Sequence, residues 1–72
     1  MTNWNSTNAY TARTAAKLTN DRGYTFKVSH YGADYTIMIL YPDGKLESEH
    51  EGLASWDLAR ILNDWQVRVT SQ

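Results

Sequence analysis

The chain has 72 residues, no cysteine and a formal net charge of −1, which excludes disulfides and thiolate metal sites and argues against a dedicated, strongly basic nucleic-acid binder. A chain this short buries only about 60% of its unfolded surface, so partner binding, self-association or unusually good packing must make up the difference. Leu, Ile, Val and Phe number 13 of 72, and three Trp with five Tyr supply the remaining apolar area.

Near-neutral charge separates such a composition from that of disordered chains, which combine low hydrophobicity with high charge. One small globular domain spanning 1–72 is expected. The opening stretch "MTNWNSTNAY" has neither the basic nor the apolar region of a secretory signal. No apolar run approaches the roughly 20 residues of a membrane span. A cytoplasmic protein without membrane partners is the expectation. Charge is unevenly placed: Arg13, Lys17, Arg22 and Lys27 oppose Asp21 alone before residue 34, whereas Asp34, Asp43, Glu47, Glu49 and Glu51 oppose Lys45 alone up to residue 51. A dipolar surface follows.

The first element is a helix from about Thr7 to Arg22, with Ser6 or Thr7 as its cap. Ala9, Ala12, Ala16 and Thr19 make a small-residue stripe that lets the helix lie close to a sheet. Gly23 stands where the helix should stop. "YTFKVSHY" (24–31) then alternates, placing Tyr24, Phe26, Val28 and His30 on one face of a half-buried strand. A two-residue turn at Gly32-Ala33 leads into a second strand, Tyr35–Tyr41, and "YPDG" turns the chain into a third, Lys45–Glu51.

Register decides what the acids do, because a slip of one residue moves every side chain to the other face. If Tyr41 pairs with Gly44, the core face holds Phe26, Val28, Ile37, Ile39 and Leu46, and His30, Tyr35 and His50 form one row. A bulge at Gly44 would place carboxylates among Ile37 and Ile39, and burying unpaired carboxylates is costly. The regular register is therefore expected. It leaves Met38 and Leu40 on the open face between Lys27 and Ser29 on one side and Lys45, Glu47 and Glu49 on the other.

Gly52 interrupts the third strand and Ser55 is read as the cap of a second helix. Leu58, Ile61, Leu62 and Trp65 recur at i, i+3, i+4 and i+7, the strongest periodic signal in the chain. Beyond Trp65 the pattern admits the end of the helix or a short fourth strand with Val67 and Val69 alternating, and the extended reading is preferred. The order is α-β-β-β-α, an α+β fold with a three-stranded antiparallel sheet covered on one face by an N-terminal and a C-terminal helix.

Constellations for chemistry are absent from this reading. The two histidines, roughly 9.6 Å apart at the backbone, lack an evident third metal ligand. The serines are caps or strand positions, and the glycines have turn roles and form no phosphate loop. No catalytic residue, metal or cofactor is expected. The expected function is a non-catalytic protein-interaction module whose contact residues are Met38, Leu40, Glu47 and Glu49, an apolar centre with a charged rim. Its partner is another protein or a second copy in a homodimer. Cysteine-free, motif-free chains of this size are common among bacteriophage and mobile-element accessory proteins and inhibitors, anti-CRISPR proteins included. The alternative is a weak nucleic-acid-binding domain gripping phosphate through Arg13, Lys17 and Lys27. Trp4, Trp56 and Trp65 are read as core and staple residues.

Overall fold

The computed structural model describes residues 3–15 and 17–70. Its elements are α1 (Ala9–Thr14), β1 (Leu18–Thr19), β2 (Thr25–Tyr31), β3 (Asp34–Leu40), β4 (Leu46–Leu53), α2 (Ser55–Asp64) and β5 (Arg68–Val69). The strands form one antiparallel sheet in the order β4-β3-β2-β1-β5. The α+β class is as expected, but the sheet has five strands rather than three.

Of the two further strands, β5 falls in the tail where a short fourth strand is expected, and β1 falls in a segment expected to be helical. The expected helix Thr7–Arg22 is helical only over Ala9–Thr14, and Ala15 is already extended at φ −68°, ψ 142°. A six-residue helix is marginal by itself, and Leu18 gains more as a strand residue. It pairs with Phe26 on one side and Val69 on the other, and is buried. Ser6 and Thr7 do not cap the helix. Instead Asn5 and Asn8 exchange side-chain bonds with each other's backbone N–H, at 2.8 and 3.0 Å, a reciprocal arrangement like a capping box. Gly23 closes a turn by donating its N–H to Asn20 O at 3.0 Å, and it ends no helix. Ala9 and Ala12 of the small-residue stripe are buried as expected. Thr19 is in β1, and Ala16 lies outside the described residues.

Helix α2 has the expected apolar stripe, with Leu58 and Leu62 buried and Ile61 and Trp65 packed against the core. Its cap position is Ala54 without a side-chain bond, so Ser55 is the first helical residue and not the cap. The helix ends in a Schellman arrangement. Val67 N–H donates to Leu62 O and Gln66 N–H to Asn63 O, with Gln66 at φ +55°. That reversal buries Val67 and sends Arg68–Val69 back to pair with β1. The preferred extended reading of the tail is correct, and the tail joins the sheet next to β1.

Both helices lie against the sheet face that carries Leu18, Phe26, Ile37 and Ile39. The N-terminal segment closes this core: Trp4 is buried and its indole N–H donates to Val67 O at 2.8 Å. Asn63 grips the same residue twice, its Oδ1 accepting from Trp4 N–H and its Nδ2 donating to Trp4 O, both at 2.7 Å. At one end Trp65 packs against Tyr24 and Phe26, with ring centroids 5.1 and 5.7 Å away. Trp4 and Trp65 thus act as core residues. Trp56, 68% exposed, does not.

The β3–β4 hairpin departs from the expected register. Gly44 does form a bulge: its N–H donates to Tyr41 O, Tyr41 N–H donates to Lys45 O, both at 2.8 Å, and Gly44 sits at φ +94°. Leu40 therefore faces Leu46. The acids nonetheless stay out of the core, because a second bulge follows at once. Ile39 pairs with Ser48, so Glu47 is an extra residue and Glu49 falls opposite Met38. A third irregularity sets Glu51 and Gly52 against Thr36 alone, with Gly52 at φ +67°. Positive φ is nearly free for glycine and costly for other residues. Two glycines thus punctuate a strand whose extra residues correct one another. The consequences are that Leu46 is 51% exposed on the open face, and that His50 pairs with Ile37 instead of sharing a row with His30 and Tyr35.

Candidate functional site

With both helices on one side, no helix among the described residues covers the other face of the sheet. Opposed residues of an antiparallel ladder share a face, so two rows cross it. One row is Arg68, Thr19, Thr25, Leu40 and Leu46, and the next is Lys27, Met38 and Glu49. Met38 and Leu40 are half-buried, and Leu46 and Glu49 are exposed. Three of the four expected contact residues, Met38, Leu40 and Glu49, are thus brought together. Glu47 is not among them: the second bulge takes it out of the row, and its carboxylate accepts a hydrogen bond from the Ser48 hydroxyl. Leu46 extends the apolar strip in its place.

Carboxylates gather at the hairpin end of this face. Asp34, Glu49 and Glu51 line a shallow concavity of about 550 Å³ together with Tyr31, Thr36 and Gly52. None of the three is in an ion pair among the described residues, where the salt bridges are Arg60–Asp57 and Arg68–Asp21. Lys27 and Glu49 flank Met38 at a backbone separation of about 10 Å and form no ion pair with each other. The open face therefore runs from cationic to anionic across an apolar middle.

The cations expected for nucleic acid also meet. Arg13, Lys17 and Lys27 line one cavity of about 260 Å³ over Leu18, Phe26 and Val28. Arg13 is steadied by the Tyr10 ring, 4.5 Å from its guanidinium to the centroid, and by a bond to the Tyr10 hydroxyl. The cavity offers no ring for stacking: Phe26 is its one aromatic lining residue and is 3% exposed.

Among the described residues there is no group of three or more His, Cys, Asp or Glu placed to hold a metal ion. His30 Nδ1 lies 3.1 Å from Gly32 O within its own turn. No helix among them is long and apolar enough to cross a membrane. The contribution of Leu46 and Asp34 to the open face is not legible from the sequence pattern. Glycines mark the first and third irregularities, at Gly44 and Gly52, but the extra residue Glu47 between them carries no sequence signal.

Comparison of the chain with protein-family models, with curated proteins and with solved structures finds no match.

Proposed function

We propose that the chain is a small, non-catalytic protein-binding module whose contact face is the uncovered side of the sheet, centred on Met38, Leu40 and Leu46 and edged by Asp34, Glu49 and Glu51. The observation that carries this reading is the placement of both helices on one face. That placement leaves an apolar strip and an unneutralised acidic concavity side by side on the other. An apolar centre with a charged rim is the usual anatomy of a protein interface, and the acids select a partner whose rim is basic while accelerating encounter. Such a module acts by occupying its partner's surface, the mode expected of a mobile-element accessory protein or inhibitor.

The test compares affinity capture by the wild-type chain and by the double variant Met38→Ser, Leu40→Ser, with both shown to be folded by circular dichroism. A stoichiometric partner held by the wild type and lost by the variant is expected. Equal capture of that partner by both would remove this face from the account.

Weak nucleic-acid binding is a second reading, favoured by the convergence of Arg13, Lys17 and Lys27 on one cavity. Phosphate contacts through three cations would give an affinity falling steeply with salt. Anisotropy of a labelled single-stranded oligonucleotide at low salt checks it, and no saturable signal would dismiss it.

A further inference from the structure

The apolar strip of the open face is centred on a single strand. Met38 and Leu40 stand on β3, between β2 and β4, and Leu46 is opposite Leu40. Charges of opposite sign flank the strip, Lys27 on the β2 side and Glu49 with Glu51 on the β4 side. The flanks are two strand spacings apart, about 10 Å, close to the width of one α-helix, about 10–12 Å with its side chains. Along the strip β3 runs seven residues, about 20 Å, which is the length of roughly 14 helical residues.

The face limits the shape of its partner. A partner sheet laid on it would bury Lys27 and Glu49 along with the strip, and buried unpaired charges are costly. A helix covers the middle column alone and holds its two flanks over the charges. It also arrives with its own backbone hydrogen bonds made, which matters on a face that presents side chains and no free backbone groups. The chain's own α2 already lies against the core side of β3, so a helix on the open side would bury the sheet's second face in a further layer. Neither helix of a second copy suits the place: the apolar stripes of α1 and α2, with Ala9, Ala12, Leu58 and Leu62, are already buried in the core.

We propose that the occupant of the open face is an amphipathic helix of a different protein, lying along β3. Its apolar stripe rests on Met38, Leu40 and Leu46, and a Lys- or Arg-bearing flank lies over Glu49 and Glu51. The opposite flank, over Lys27, is acidic or neutral. This rests on the reading of the open face as a protein-binding surface, and it names the chemistry of the partner. The two charged flanks fix which way round the helix lies, because reversing its polar sides would set cation against Lys27 and anion against Glu49. Met38 suits the centre of such a face, since a flexible thioether side chain adapts to the stripe it meets.

The probe is a capped, alanine-based helical peptide of about 18 residues, long enough to hold its helix, with leucines in one stripe and lysines along one flank. It is titrated into the isotope-labelled full chain and followed by amide NMR. Saturable shifts at Met38, Leu40 and Glu49 are expected, with affinity at least tenfold lower for a peptide of the same composition whose leucines are dispersed around the helix. The variant Glu49→Lys, Glu51→Lys changes exposed positions only, where substitutions usually leave a fold intact. It should bind the lysine peptide at least tenfold more weakly and should bind a peptide carrying glutamates in place of the lysines in its stead. Absence of saturable shifts at the three amides would overturn the proposal. So would equal binding of the dispersed peptide, since charge alone would then suffice, or equal binding of a proline-interrupted peptide, since no helix would then be needed. Capture by the Met38→Ser, Leu40→Ser variant separates this failure from failure of the open-face reading. A partner lost by that variant, with no binding of the helical peptide, keeps the face and discards the helix. A partner retained by that variant discards both.

Discussion

Asn20 shows how one polar side chain can set the course of a small fold. It is 5% exposed, and every polar atom of its amide group is used. Its Oδ1 accepts from Arg22 N–H and Tyr24 N–H, each at 3.1 Å, and its Nδ2 donates to Trp65 O at 3.1 Å. One amide therefore shapes the turn between β1 and β2 and fastens it to the end of α2. Asn20→Ala removes all three bonds at once, leaving two backbone donors and one acceptor short of partners. Each buried group left unsatisfied costs roughly 1–3 kcal/mol, against a core that at this size supplies about 3–5 kcal/mol net. The variant should lose about 2 kcal/mol or more, read as a lower urea midpoint at unchanged slope. A loss below about 0.5 kcal/mol would mean that the turn is held by other contacts. Sequence pattern puts residues 20–22 in the last turn of a helix, because Gly23 fits the position after a helix as well as a tight turn. What decides between them is the carbonyl of Trp65, 45 residues away and invisible to local pattern.

At the scale of elements, the strands that matter are those with extra residues. In β4 the Gly44 bulge moves the register by one and the extra residue Glu47 moves it back, so Ser48 and His50 face Ile39 and Ile37 while Glu49 faces Met38. Deleting Glu47 should then leave Leu40 opposite Leu46 and Ile39 opposite Ser48 in an uninterrupted ladder. The expected result is a folded protein within about 1 kcal/mol of wild type, with cross-strand Hα contacts between Ile39 and Ser48. Loss of cooperative unfolding, or a hairpin in which acids replace Ser48 opposite Ile39, would contradict the bulge assignment. The elements legible beforehand were those with an uninterrupted period: α2 from Leu58, Ile61, Leu62 and Trp65, and β2 and β3 from their alternation and tight turn. β1, two residues long, is too short for any periodicity to register, and β5, equally short, is legible only as an extended tail and not as a partner of β1. They exist because Leu18 and Val67 bury apolar surface against distant partners, a tertiary gain that outweighs the helical preference of "TAAKL".

Across the whole molecule, the covered face of the sheet provides stability and the uncovered face provides the surface on which a function can act. The composition indicated a dipolar surface, and the fold places the two poles: Arg13, Lys17 and Lys27 around one cavity, and Asp34, Glu49 and Glu51 around another. Part of the candidate face, Met38 with Leu40 and Glu49, was legible because alternation in β3 alone puts Met38 and Leu40 on one side. Glu47 was misplaced and Leu46 missed because both depend on two successive bulges. A standard interface takes about 800 Å² from each partner, roughly a sixth of the 4700 Å² accessible here, so one such partner would take up most of the open face. Whether that partner is another protein or a second copy is the most direct question about the account. Light scattering on a size-exclusion column over a concentration series answers it. The account predicts 8.3 kDa at every concentration, with the open face free for a different protein. A concentration-dependent doubling of mass, abolished by Met38→Ser with Leu40→Ser, would contradict it by showing that the face is covered by a second copy of the chain.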